Sequence, residues 1–93
     1  MEIVCKLYGP PQEIVGRKRV RCAVDDGATV EDVLDALIDE HPDLEESLYD
    51  ADGSLRDSIG VLANRTNITR REGLSTPVDD GDELLITPPV HGG

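Results

Sequence analysis

The chain has no tryptophan and no phenylalanine; its only aromatic residues are Tyr8 and Tyr49. A core without large rings must be packed from Val, Leu, Ile and Ala. Ninety-three residues make one domain, and a chain of this size buries only about 65% of the surface its unfolded form exposes, so the core is small. No apolar run approaches the roughly 18 residues that cross a bilayer. The start, Met1-Glu2-Ile3-Val4-Cys5-Lys6, has no basic stretch leading into an apolar block, so no secretory signal is expected and the cytoplasm is the expected location. Cysteine is scarce too. Cys5 and Cys22 cannot form a zinc site unaided and are too few for a disulfide framework. Both fall in alternating apolar patterns, which makes small buried thiols the default and a cross-strand disulfide the disfavoured alternative in a reducing compartment. There is no phosphate-binding glycine loop and no recognisable Ser/His/Asp order. The two histidines, His41 and His91, stand fifty residues apart. Nothing in this inventory predicts a catalyst, a bound cofactor or a metal.

Charge is present mostly in one sign. Nine Lys and Arg face twenty Asp and Glu, a formal charge of −11. That balance argues against nucleic acid and anionic membrane as partners and suits a partner with a basic docking surface. Of the nine cations only Lys6 and Lys18 are lysines. Acidic composition, scarce lysine and few aromatics together resemble proteins adapted to a high-salt cytoplasm, where screening shortens the reach of self-repulsion; a merely acidic domain from an ordinary cytoplasm is the competing reading.

Along the chain, residues 2–8 alternate, with Ile3, Cys5 and Leu7 on one face, which predicts a half-buried strand ended by Gly9-Pro10-Pro11. A loop is expected over Gln12 to Gly16. Residues 17–24 alternate again, setting Arg17, Arg19 and Arg21 against Val20, Cys22 and Val24, and should pair with the first strand as an antiparallel ribbon. After the Asp25-Asp26-Gly27 turn comes the clearest helix. Thr29 is its N-cap, Glu31 and Asp32 sit in the first turn, and Val30, Val33, Leu34, Leu37 and Ile38 form one apolar stripe. His41 is read as a capping residue at its end, and Pro42 stops it. The carboxylates on the far side read as a solvated face rather than a metal site. Asp43 to Asp50 is a short second helix. Ile59 to Ala63 is a third strand, Asn64 to Asn67 a reversal and Ile68 the start of a short return strand. A loop with Leu74 tucked inward covers Arg70 to Pro77. The turn Val78 to Asp82 leads to a final strand, Glu83 to Thr87. One apolar helix stripe and one apolar sheet face must cover each other, giving a two-layer α+β sandwich with the last strand parallel to the first.

The remaining stretch, Pro88-Pro89-Val90-His91-Gly92-Gly93, looks purposeful. Two prolines end sheet pairing and hold the backbone extended. Two glycines let a terminal carboxylate enter a slot too narrow for any side chain. Gly93 is therefore the candidate reactive residue, with Gly92, His91, Val90, Pro89 and Pro88 as the segment a partner would recognise. On the tail alone, an ordinary frayed terminus is the competing reading.

The order of elements resembles the β-grasp, or ubiquitin-like, fold. The ending Gly81-Asp82-Glu83-Leu84-Leu85-Ile86-Thr87-Pro88-Pro89-Val90-His91-Gly92-Gly93 is similar to that of the molybdopterin-synthase small subunit and the small archaeal modifier proteins, and the acidic composition points to the haloarchaeal branch. Thr29 to Leu37 resembles their helix, and Val61-Leu62-Ala63-Asn64 lies where they carry a strand ending in Asn. Two positions depart: Asn64-Arg65 stands where Asn-Gly is frequent, and His91 where a small residue is common. The resemblance implies a mixed sheet of four to five strands on one main helix (residues 1–87) with a flexible diglycine tail (88–93). It also implies that a separate ubiquitin-activating-type enzyme adenylates Gly93 with ATP and magnesium. Two fates would follow: an isopeptide bond to lysines of target proteins, or a thiocarboxylate that donates sulfur to molybdopterin or tRNA, with the molybdopterin-synthase large subunit as a partner. Leu62, Leu85 and Val90 are candidates for an apolar docking patch, although core is the favoured reading for the three together. Lys18 and Lys6 are the only lysine acceptors for self-conjugation. The alternative function is a non-covalent β-grasp interaction module with an incidental tail.

Overall fold

The computed structural model describes residues 1–88. Five strands, β1 (Glu2–Leu7), β2 (Arg19–Ala23), β3 (Gly60–Ala63), β4 (Thr66–Asn67) and β5 (Glu83–Thr87), form one sheet in the order β2-β1-β5-β3-β4. Three helices accompany them: α1 (Pro10–Val15), α2 (Val30–Glu40) and α3 (Leu44–Leu48). β1 and β2 form the expected antiparallel ribbon, and β5 lies parallel to β1 and antiparallel to β3. This is the β-grasp arrangement, a mixed sheet with its principal helix laid across one face.

The alternation of β1 is what places the core. Ile3, Cys5 and Leu7 are fully buried, and Val20, Cys22, Val61, Ala63, Leu84 and Ile86 join them from neighbouring strands. Val30, Val33, Leu34 and Leu37 of α2 close the layer from the other side; Ile38, at the edge of the stripe, is half-buried. Each fully buried Leu or Ile here stabilises by roughly 1.5–3 kcal/mol relative to exposure. The N-terminus of α2 is held twice. Thr29 and Asp32 form a capping box, with the Thr29 N–H donating to Asp32 Oδ2 at 2.9 Å. The Val30 N–H, one of the orphan donors of the first turn, donates to the Thr76 carbonyl at 2.9 Å. Cys5 and Cys22 are free buried thiols with their Sγ atoms 3.8 Å apart. The contact with Cys22, together with burial, raises the Cys5 thiol above its ordinary value.

Four expectations need correction. Residues 12–15 are not loop: α1 runs Pro10–Val15, with the prolines in its first turn, where no N–H is needed, and a left-handed Gly16 closing it through a bond to the Gln12 carbonyl. The same prolines that end β1 begin a helix. Second, β2 starts at Arg19 rather than residue 17, because α1 and its cap occupy the chain through Gly16. Third, the return strand is Thr66–Asn67. Ile68 instead opens a 3-10 turn, Ile68–Arg70, capped by Asn67, whose Oδ1 accepts from the Thr69 N–H at 2.9 Å. Fourth, residues 70–77 hold a second 3-10 turn, Gly73–Ser75, and Leu74 is half-buried against the core as expected.

Candidate functional site

The site is the end of β5 and the sheet face beside it. β5 is the middle strand, bonded to β1 on one side and β3 on the other. Its entry is clamped by the turn before it. The Val4 N–H donates to the Asp82 carbonyl at 3.0 Å, the Gly81 N–H to the Glu2 carbonyl at 2.9 Å, and the Glu2 N–H to Asp80 Oδ1 at 2.8 Å. From the β3 side, Asn64 donates its amide to Asp82 Oδ1 at 2.9 Å and accepts from the Glu83 N–H at 3.0 Å. Asp82 thus ties the turn to both neighbours of β5. The Gly-Asp-Glu sequence and the Asn at the end of β3 make one hydrogen-bonded clamp.

The exit of β5 is fixed differently. The Tyr8 N–H donates to the Ile86 carbonyl at 2.9 Å, extending the β1 ladder almost to the end of the strand. Pro88 then lies directly over Gly9. A Cβ placed on Gly9 would sit 2.8 Å from Pro88 Cγ, closer than side-chain atoms approach. Gly9, at φ +66°, therefore leaves the space that Pro88 fills. Sequence reasoning treats Gly9 only as a turn residue. Its positive φ is foreseeable from the Gly-Pro-Pro run, but the approach of Pro88, from the other end of the chain, is not.

On the face away from α2, the register sets Leu62 opposite Leu85, and Leu85 beside Lys6, which pairs in turn with Arg19. Leu62 and Leu85 are half-buried. The core reading is therefore wrong for both: period-two alternation puts Leu84, Ile86, Val61 and Ala63 inward and sends these two outward. They form an apolar spot at the root of the tail. Lys6 is also half-buried, with its ammonium 3.1 Å from Glu83 on the adjacent strand; a partly exposed pair of this kind contributes at most about 1 kcal/mol. Lys18 is exposed and lies over the Tyr8 ring at 4.9 Å from its centroid. So one lysine is engaged with a carboxylate and the other stands on the surface.

Of the predicted tail residues only Pro88 is described; Pro89, Val90, His91, Gly92 and Gly93 lie outside the described residues. His41 caps α2 through its backbone, its N–H donating to the Leu37 and Ile38 carbonyls at 3.0 and 3.1 Å. Among the described residues no group of His, Cys, Asp and Glu is arranged to hold a metal ion, and no helix is long and apolar enough to cross a membrane.

Comparison with known proteins agrees with this geometry. The ThiS family matches residues 5–93. Small archaeal modifier protein 3 of Haloferax volcanii is 38% identical over 93 residues, covering 100% of both chains. Small archaeal modifier protein 1 of the same organism is 43% identical over 88 residues, 95% of this chain and 97% of that one. A putative sulfur carrier protein of Archaeoglobus fulgidus is 45% identical over 48 residues, 52% of this chain and 54% of its own. The crystal structure of the Haloferax small archaeal modifier protein 1 superimposes with a TM-score of 0.87 at 41% identity, over 100% of each chain.

Proposed function

The chain belongs to the ThiS family of ubiquitin-like modifiers and sulfur carriers, and from that premise we propose that its reactive group is the carboxylate of Gly93, activated by a separate enzyme. A carboxylate is a poor electrophile at neutral pH. An oxygen of Gly93 attacks the α-phosphorus of magnesium-bound ATP in the activating enzyme, pyrophosphate leaves, and an acyl-adenylate forms. A lysine amine of a target protein then attacks the carbonyl carbon; AMP leaves, the amine loses a proton, and an isopeptide bond remains. Attack by sulfide instead, with the same leaving group, gives a thiocarboxylate that carries sulfur to molybdopterin, beside a molybdopterin-synthase large subunit, or to tRNA. We place both reactions in the cytoplasm.

The observation that carries this reading is the position of β5. The strand leading to the diglycine is the middle one of the sheet, clamped at its start by Asn64 and Asp82 and guided at its end by Gly9. The folded body thus fixes the chain as far as Pro88, on the strand that carries Leu85 of the outward pair Leu62 and Leu85. Docking of that spot on the activating enzyme would deliver Gly92 and Gly93 at high effective concentration. The homologues are small carriers rather than catalysts, which accords with a sequence that holds no recognisable catalytic order.

The test is direct. The purified chain is incubated with the activating enzyme of its own cell, magnesium and ATP, and exchange of labelled pyrophosphate into ATP is measured. Exchange is expected with the full chain and not after deletion of Gly92 and Gly93. Intact mass of protein from cells then separates the fates: an oxygen-to-sulfur replacement supports sulfur transfer, and diglycine-branched lysines on other proteins support modification. If the deletion variant still sustains conjugation and sulfur transfer, the chain is a non-covalent module and the tail is incidental.

A further inference from the structure

The cations of this acidic chain are not spread evenly. Arg17, Lys18, Arg19 and Arg21 place four of its nine Lys and Arg within five consecutive positions, at the start and along the length of β2. All four are exposed. Although the chain has twenty Asp and Glu, Arg17, Lys18 and Arg19 make no ion pair among the described residues. Arg21 reaches Glu2 only at 3.9 Å, with its side chain 76% exposed. A cluster of like charges raises the energy of the folded chain by self-repulsion, and among the described residues only the long Arg21–Glu2 contact sets a carboxylate against it.

The same strand is a sheet edge. The backbone shows which of its groups are open. Met1 and Val24 exchange both bonds, and the Leu7 N–H donates to the Lys18 carbonyl. With the antiparallel register Ile3↔Cys22 and Cys5↔Val20 between them, the residues bonded to β1 are Lys18, Val20, Cys22 and Val24. Arg19, Arg21 and Ala23 therefore turn their N–H and C=O groups away from the sheet. Unpaired edge groups are a template for another strand. Charged residues of either sign blunt such edges, but this chain gathers four of its nine cations here, on a strip that attracts carboxylates. The sign of the charge is the informative feature.

We propose that the open edge of β2 is a docking site for an extended acidic peptide segment of a partner protein, added as a sixth strand beside Arg19, Arg21 and Ala23. Side chains of an added strand alternate in direction. Those on the outer face meet the guanidinium groups of Arg19 and Arg21 and should be Asp or Glu. Those between them face the layer where α2 packs on β2 and should be apolar. The partner sequence is thus alternating acidic and apolar over roughly five or six residues, the length of one strand. The site is at the far end of the sheet from β3 and β4 and uses neither the Leu62–Leu85 spot nor the tail, so it allows a partner to be held while the tail reacts elsewhere.

The experiment titrates the isotope-labelled full chain with a synthetic acetylated peptide of alternating valine and glutamate, followed by amide NMR. The amides of Arg19, Arg21 and Ala23 should shift and exchange more slowly with solvent. Double charge reversal, Arg19→Glu with Arg21→Glu, should weaken binding by about tenfold or more, while Arg70→Glu with Arg71→Glu, elsewhere on the surface, should not. Deletion of Gly92 and Gly93 should leave peptide binding intact, which keeps this result separate from the chemistry of the tail. Strand addition is overturned if the double reversal, folded by its own spectrum, binds the peptide as tightly as the parent. It is also overturned if inorganic polyphosphate produces equal shifts without slowing those three amides, since the strip would then be a general polyanion surface.

Discussion

Gly9 and Gly16 both carry positive φ, +66° and +80°, but a Cβ on Gly9 would meet Pro88 at 2.8 Å and one on Gly16 would meet nothing within 4 Å. Both positions strain the backbone of any other residue, and at Gly9 a steric displacement is added. Gly16 is left-handed helical, with ψ 11°, and its change to Ala should cost about 1–2 kcal/mol; Gly9, with ψ −142°, lies in a region open essentially to glycine alone, and its change should cost more. Only Gly9→Ala should also push Pro88 off its path, and with it the start of the tail. We expect thermal unfolding to show the larger loss for Gly9→Ala. Adenylation, measured where both are fully folded, should fall for Gly9→Ala and hold for Gly16→Ala; equal rates would mean that the direction set at Pro88 is immaterial. Tyr49 offers a second test at this scale. Its hydroxyl is buried with no hydrogen-bond partner among the described residues. Burial, with the carboxylates of Asp35 and Glu31 adding to it, pushes its pKa from 10.0 up to about 12. The folded state then holds this proton more tightly than the unfolded state does. Stability is therefore unaffected by Tyr49 below its unfolded pKa of 10.0 and should decline as pH rises from there through about 12. Tyr49→Phe should remove that decline and leave neutral-pH stability equal or higher, because an unsatisfied buried hydroxyl is lost.

Among the elements, the β3–β4 turn shows how a local departure is absorbed. Asn64 and Arg65 have φ of 48° and 75°, the pair of positive angles a two-residue type I′ hairpin requires. Asn64 belongs there for a second reason, its bonds to Asp82 and Glu83. Arg65 has no such bond and carries a Cβ in a region that disfavours it. Arg65→Gly should raise stability by about 0.5–1 kcal/mol, read as a higher thermal midpoint; a fall would mean that the Arg65 side chain has a stabilising role of its own. The turn was legible in the sequence because Asn tolerates such angles. The α2 stripe, the β1 alternation and the parallel β1–β5 pairing were legible for similar reasons: each has a period, or a connection length, that admits one solution. What was not legible depended on distant partners. The Gly-Pro-Pro run ends a strand and starts a helix with the same residues, and only the packing of α1 against α3 decides for helix. The inward or outward direction of Leu62 and Leu85 depends on where the last ladder begins, which Asn64 and Asp82 fix from two separate stretches of the chain. Gly92 and Gly93 are noticed through their spacing from β5 alone, and they lie outside the described residues.

At the scale of the whole molecule, a one-sided charge makes stability depend on salt. The described residues span 33 × 27 × 25 Å, and the chain carries a formal −11. At about 0.01 M salt the screening length is roughly 30 Å, so every carboxylate feels most of the others; at about 1 M it is roughly 3 Å and only neighbours interact. Glu31, Asp35, Asp39, Glu45, Glu46 and Asp50 crowd around one open groove between α2, α3 and the loop beyond, with Arg56, bonded to the Glu46 carbonyl at 2.6 Å, as the cation among them. The aliphatic core, lacking large rings, has little surplus to set against that repulsion. We therefore expect the thermal midpoint to rise steeply with potassium chloride and folded signal to be lost on dilution to low salt. Replacing Asp35, Asp39, Glu45 and Glu46 with Asn or Gln should raise the low-salt midpoint and flatten the salt dependence, because it removes charge at the densest point without touching the core. A salting-out effect on apolar surface would instead leave the slope unchanged in that variant and make sulfate far more effective than chloride at equal ionic strength. Full stability of the parent chain in low salt would show that its acidity is unrelated to a saline interior.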